Sequence, residues 1–338
     1  MAKMLVFQVA RPAGPLELVE RPIPEPGPGT VRIKIDACGV CHSDWAIVQG
    51  AIPGTQFPRV PGHEVIGVID ATGPGVTRWK AGDRVGVGYN GGYDGVCEAC
   101  QRGEFFACAS GQVTGATSDG GYAQYMLAQV SALARIPTEL TAVEAAPLMC
   151  AGLTTYNGLR RSGARAGDLV AIIGIGGLGH LAVQYAAKMG FRTVAIARGS
   201  DKGPLAIELG AHHYIDSDAA DVAGALRELG GARIVAATAT SAEAMTSTLA
   251  GLAVNGKLLV MGVPGDAIQV SPFILFSGRR AIEGVNTGTA IDATDTLAFS
   301  LLANVRPISE VFPFKQAPEA YQRMLHGARF RAVLDMTH

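Results

Sequence analysis

The chain has 338 residues, 48% of them hydrophobic, and its 28 basic and 29 acidic side chains leave a net charge of −1. That length and apolar content imply two domains with packed cores, exclude a disordered chain, and leave no basic footprint for nucleic acid. Glycine is the outlier at 44 of 338, roughly twice the usual ~7% and without a collagen-like period, so many tight turns or close backbone approaches to ligands are expected.

In chain order, Met1 to Pro12 holds one lysine and a short apolar run broken by Arg11 and Pro12. It lacks the apolar core of a secretory signal, so a cytoplasmic location is expected. Residues 1–148 alternate short β patterns, such as 30–35 (TVRIKI) and 65–70 (VIGVID), with Pro and Gly clusters, the punctuation of a β-rich domain. From 149 to 285 the pattern changes. Strand-length apolar runs at 169–174, 193–197, 213–216, 233–238, 257–262 and 281–285 alternate with helical stretches, which predicts an α/β domain built on a doubly wound, six-stranded parallel sheet of the Rossmann type. Leu169 to Ala187 is uncharged and as long as a membrane span, but it holds four glycines, Gln184 and His180. It reads as strand, turn and helix, and no membrane partner is expected. That helix sets Leu178, Leu181, Ala182, Tyr185 and Met189 on one stripe, with Gly190 as its stop. In the tail, residues 286–338, a helix from Pro318 to His326 precedes a strand from Arg331 to Asp335, which is expected to return to the first domain.

Gly174-Ile175-Gly176-Gly177-Leu178-Gly179 follows the first strand of the second domain and opens its helix, the context in which glycines admit a pyrophosphate to a helix N-terminus. The bland alternative is a glycine-rich turn without a ligand. At the end of the next strand an acidic residue would hold the ribose 2′-hydroxyl of NAD. Ala197 stands there, followed by Arg198, Gly199, Ser200, Asp201 and Lys202, and the pairing of Arg198 with Lys202 favours the 2′-phosphate of NADP. The rival is Asp201 serving NAD from a shifted position.

Six cysteines (Cys38, Cys41, Cys97, Cys100, Cys108, Cys150) in a large chain without an export signal favour metal ligation or free thiols over disulfides. Cys41 lies in Ala37-Cys38-Gly39-Val40-Cys41-His42-Ser43-Asp44, His63 in Gly62-His63-Glu64, and Cys150 in Leu148-Met149-Cys150-Ala151-Gly152-Leu153-Thr154. With the glycine motif, these segments resemble, in order and spacing over the whole chain, the zinc-dependent alcohol dehydrogenases of the medium-chain dehydrogenase/reductase family.

The resemblance implies a GroES-like catalytic domain (residues 1–148 plus 286–338) and a Rossmann domain (residues 149–285). It implies a catalytic zinc held by Cys41, His63 and Cys150, with Asp44 orienting His63 and Glu64 beside the metal. Cys38 is then a packed thiol; a redox pair with Cys41 lacks the βαβ context such pairs occupy. The resemblance also implies a second, structural zinc held by Asp94, Cys97, Cys100 and Cys108, with Asp94 where the family usually has a fourth cysteine; the alternative is an empty lobe with three free thiols. Ser43 matches the family's relay hydroxyl. Ala46 stands where a histidine often continues that relay. His42, Thr154, Val263 and Arg331 are expected at the cofactor with the glycine motif, and Ile52, Tyr89 and Trp45 at an apolar substrate pocket. The expected reaction is reversible hydride transfer between a primary or secondary alcohol and NAD(P), with zinc as Lewis acid. The rival reading is a zinc-free quinone or enone reductase on the same fold. A small-molecule substrate and a homodimer or homotetramer, joined through the strand at 281–285, complete the expectation.

Overall fold

A computed structural model describes residues 2–328 and 330–337; Met1, Arg329 and His338, which the expected domain ranges include, lie outside the described residues. The chain divides into two compact units, Met1–Leu153 with Gly288–His338, and Thr154–Thr287. The first unit therefore reaches past the expected residue 148. Leu148 and Met149 are fully buried, and a Cβ on Gly86 would come within 2.9 Å of the Met149 sulfur. This segment, with Cys150 behind it, packs as part of the first unit's core.

In the first unit the strands are Lys3–Val9 (β1), Leu16–Pro22 (β2), Thr30–Val40 (β3), Glu64–Thr72 (β4), Arg84–Val87 (β5), Asn90–Gly92 (β6), Gln112–Val113 (β7), Tyr125–Gln129 (β8) and Leu133–Arg135 (β9). The second unit contributes Leu169–Ile173 (β10), Arg192–Ala197 (β11), His213–Asp216 (β12), Ala232–Ala237 (β13), Leu252–Val260 (β14) and Ala281–Gly284 (β15). Ser309–Pro313 (β16) and Arg331–Asp335 (β17) complete the first unit.

The main sheet of the first unit has the order β16-β17-β3-β4-β5-β9, with β8 also paired to β3. Val31, Ile33 and Ile35 of β3 alternate inward and are at most 2% exposed; each such burial stabilises by roughly 1.5–3 kcal/mol. β3 runs beyond the expected residue 35 because its second half is paired on both sides. Gly39 lies opposite Glu64 of β4, and Val40 lies opposite Ala332 of β17. One end of this sheet thus brings together the residues leading into Cys41, the start of β4 and the start of β17.

In the second unit the order is β12-β11-β10-β13-β14-β15, every pair parallel. All five residues of β10 are buried, as a strand covered on both faces requires. The helix Gly179–Lys188 that follows is more deeply buried than one stripe, since His180, Val183 and Ala186 are covered along with Leu181, Ala182 and Tyr185. Gly190, at φ +80°, ends it. No helix among the described residues is long and apolar enough to cross a membrane.

Candidate active site

Cys41 is the N-cap residue of the helix His42–Val48, and its backbone N–H donates to Asp44 Oδ2 at 2.9 Å. Asp44 is fully buried, and its Oδ1 accepts from His63 Nδ1 at 2.8 Å and from the Gly62 N–H at 3.2 Å. The histidine's other nitrogen, Nε2, is buried and meets no hydrogen-bond partner of adequate geometry among the described residues. With Nδ1 committed as the donor, Nε2 presents its lone pair.

That lone pair converges with two sulfurs. Donor atoms of Cys41, His63, Glu64 and Cys150 all lie within 4.8 Å of one another, and the Cys41 and Cys150 sulfurs are 3.8 Å apart. Two thiolates at ~2.3 Å from one tetrahedral zinc sit about 3.8 Å apart, far beyond the ~2.05 Å of a disulfide. The electrostatics point the same way. A hydrogen bond shared between the two sulfurs holds the Cys41 thiol well below the usual range and, with burial, pushes Cys150 well above it. Burial works to lower the His63 imidazole, yet the Asp44 carboxylate and the Cys41 sulfur raise it well above its ordinary value. Two sulfurs and an imidazole nitrogen within 4.8 Å of one another, one of the thiols already biased toward thiolate, are a donor set that fits a zinc ion.

Glu64 is fully buried beside these donors and pairs with Arg331, which is 5% exposed. Burial pushes the Glu64 carboxyl up to about 8 against the opposing pull of Arg331. A Cβ on Gly39 would collide with this carboxylate, so a glycine at that register position makes room for it. Arg331, expected at the cofactor, is thus tied to the residue next to a metal donor. The Ser43 hydroxyl lies 3.9 Å from Cys41 Sγ. Tyr89 stands edge-on to His63 with ring centroids 5.4 Å apart. Trp45 is 40% exposed and stacks on His42 at 5.6 Å, while Ile52 and Ala46 are half-buried. Cys38 is buried and donates to the Gly39 carbonyl, so the sulfur that meets Cys41 is that of Cys150.

The second predicted cluster also assembles. Donor atoms of Asp94, Cys97, Cys100 and Cys108 lie within 4.8 Å of one another, with the Cys97 and Cys108 sulfurs 3.9 Å apart. Asp94 Oδ1 accepts the N–H groups of Val96 at 2.8 Å and Cys97 at 3.0 Å, and these bonds hold its carboxyl well below the usual range. Burial pushes the Cys100 thiol up to about 12.

In the second unit each motif glycine has a separate physical cause. Gly174 adopts φ +87°, a Cβ on Gly176 would meet no protein atom within 4 Å, and a Cβ on Gly179 would collide with the Gly174 carbonyl. These are a tight turn, an open approach and a close helix–strand contact. Gly177 and Leu178 are half-buried, and Leu178 is the helix N-cap residue, without a side-chain cap. Ala197 ends β11, Arg198 is exposed, and Lys202 Nζ donates to the Arg198 carbonyl at 3.3 Å. Asp201 lies against the α-carbon of Gly199, since a Cβ there would come within 2.8 Å of its Oδ1. Thr154 is buried and Val263 is exposed. Asp216, missed from sequence, accepts the Gly199 N–H at 2.9 Å and so shapes this loop. Its only signal was its place at the end of the short apolar run 213–216. Tyr122, also missed, donates to Asp44 Oδ2 at 3.1 Å; in Gly120-Gly121-Tyr122 it reads as an ordinary core aromatic.

Buried sulfur and imidazole donors at one end of a β sheet, in a chain that also carries a six-stranded parallel sheet with a nucleotide-type glycine turn, define a zinc-binding dehydrogenase. Residues 27–138 match the alcohol dehydrogenase GroES-like domain and residues 177–304 the zinc-binding dehydrogenase domain. The chain is 44% identical to the alcohol dehydrogenase notN of Aspergillus sp. (strain MF297-2), over 95% of each chain. It is 39% identical to an alcohol dehydrogenase of Geobacillus stearothermophilus, over 93% of this chain and 94% of the other. Among solved structures, a cinnamyl alcohol dehydrogenase from Sorghum bicolor superposes with a TM-score of 0.90 at 29% identity, over 99% of this chain and 98% of that one. The chain belongs to the zinc-type medium-chain alcohol dehydrogenases, nicotinamide-linked oxidoreductases. The zinc-free reductase reading is not favoured.

Proposed function

We propose that Cys41, His63 and Cys150 hold the catalytic zinc and that the protein interconverts primary or secondary alcohols with their carbonyl partners, with NADP preferred over NAD. The observation that carries this reading is the unpartnered His63 Nε2 facing two sulfurs at zinc-like separation. When bound, a zinc ion would supply Lewis acidity and a nicotinamide cofactor the redox capacity for the reaction. Asp44 holds the imidazole in the tautomer whose Nε2 is available. The Ser43 hydroxyl accepts the alcohol proton at Oγ; with Ala46 offering no ring nitrogen, that proton leaves through water. Ile52, Tyr89 and Trp45 form an apolar pocket suited to aliphatic or aromatic alcohols.

Ala197 offers no carboxylate to a ribose hydroxyl, whereas the exposed Arg198, with Lys202 beside it, suits a 2′-phosphate. Thr154 and Val263 contribute to the cofactor site with the glycine turn. Asp94, Cys97, Cys100 and Cys108 hold a second, structural zinc, a carboxylate being an ordinary zinc ligand. Two chains pair through β15, the edge strand of the parallel sheet.

The test is metal removal and cofactor kinetics together. Chelated protein loses alcohol oxidation and regains it on adding zinc, and the active protein carries two zinc ions per chain. Activity that survives complete metal removal defeats the reading. Arg198→Ala raises KM for NADP roughly 10- to 100-fold, the cost of a lost charged hydrogen bond, and leaves KM for NAD unchanged. A wild type that prefers NAD overturns the cofactor assignment. Ser43→Ala lowers kcat by roughly 10²- to 10⁴-fold at nearly constant KM.

A further inference from the structure

Asp44 is a fully buried carboxylate with four donors, two on each oxygen. Oδ1 takes His63 Nδ1 and the Gly62 N–H, and Oδ2 takes the Cys41 N–H and the Tyr122 hydroxyl. Three of these donors belong to metal donor residues or to the residue beside one. Tyr122 alone arrives from elsewhere in the chain, and its side chain is fully buried. From this geometry we infer that Tyr122 is a positioning residue of the zinc site, acting through Asp44 on the orientation of the His63 ring.

The inference rests on the reading of Cys41, His63 and Cys150 as zinc ligands. An ionised carboxylate only accepts hydrogen bonds, so the phenol must donate to it, and a buried tyrosine hydroxyl requires such a partner. Burial, together with the Asp44 charge, raises the Tyr122 phenol well above the usual tyrosine range, so the proton stays in place.

The backbone holds Tyr122 against the segment that carries His63. The N–H groups of Gly120, Gly121 and Tyr122 donate to the carbonyls of Val60, Gly62 and Pro61 at 2.8, 2.9 and 3.0 Å. Gly62, at φ +99°, leaves room for the phenol ring, because a Cβ there would come within 2.5 Å of it. Without the hydroxyl, Oδ2 keeps one donor, and the carboxylate gains freedom to turn and to carry the imidazole with it. Loss of such an outer partner costs roughly 10- to 100-fold in metal affinity or activity.

The experiment loads wild type and Tyr122→Phe with cobalt(II) in place of zinc. It follows the visible ligand-field bands, cobalt release to a chelator and thermal unfolding. The release phase abolished by Cys100→Ser belongs to the Asp94 cluster and serves as an internal reference. Tyr122→Phe keeps the aromatic ring, so it is expected to unfold near the wild-type temperature while its bands shift and cobalt leaves the Cys41 site about 10-fold faster. In an Asp44→Asn background the same substitution is expected to add nothing, because the two groups act as one unit. Unchanged bands and release overturn the inference. So does faster release that persists undiminished in the Asp44→Asn background, which marks a packing role only. A wild type that takes up no cobalt at the Cys41 site defeats the zinc reading itself, and is distinguishable from both.

Discussion

Glu64 and Arg331 form an ion pair at which almost no water remains, Glu64 being fully buried and Arg331 5% exposed. Removing one partner of such a pair strands a charge and costs about 3–5 kcal/mol, whereas removing both costs less. Because burial holds the Glu64 carboxyl at about 8, Arg331→Met is expected to lower stability by that amount in denaturant unfolding well above pH 8 and by less at neutral pH, where Glu64 takes up a proton. Glu64→Gln in the same chain is expected to restore part of it; an Arg331→Met protein as stable as wild type at the higher pH contradicts this account. That Cys41, His63 and Cys150 converge was legible because the segments around them resemble the family's in order and spacing. Tyr122 and the Glu64–Arg331 pair were not. Nothing local marks a core tyrosine as the fourth donor to a carboxylate, and 267 positions separate the two charges.

Among the elements, the short helix Ala142–Ala145 shows what a cap contributes. Thr141 accepts the Glu144 N–H through its side chain, and the Glu144 carboxylate accepts from the Thr141 N–H at 2.9 Å. This box lies ahead of Cys150. The Thr141 hydroxyl bond to Glu144 lowers its carboxyl below the usual range despite partial burial. A carboxyl whose folded value lies below its unfolded value of ~4.3 stabilises fully above that value, and its contribution is lost as pH falls through the lower folded one. Thr141→Ala is expected to cost about 1 kcal/mol in urea unfolding at neutral pH, with the difference from wild type shrinking in acid. A gap that widens in acid refutes it. The runs forming β10 to β15 were readable because strands covered on both faces are continuously apolar. The two- and three-residue strands β6 and β7 were not, since so few residues show no period.

For the whole molecule, β15 ends its sheet, and the helix Pro272–Gly278 before it exposes Phe273 and Phe276 at 71% and 82%. An open strand edge and exposed aromatic rings are features that favour pairing with a second chain. Phe276→Asp is expected to shift the sedimentation coefficient from oligomer to smaller species, and a wild type that sediments as a monomer at all concentrations sinks the proposed pairing. Hydrophobic period and glycine spacing are local properties, so the order of elements and the nucleotide-type turn could be read from the amino acids, and resemblance to the family pointed to the residues of both donor clusters. The division at Leu153, the partners of Asp44 and the tie between Glu64 and Arg331 could not. Each depends on distances between segments remote in the chain, and those distances arise only when β3, β4 and β17 pair and bury them together.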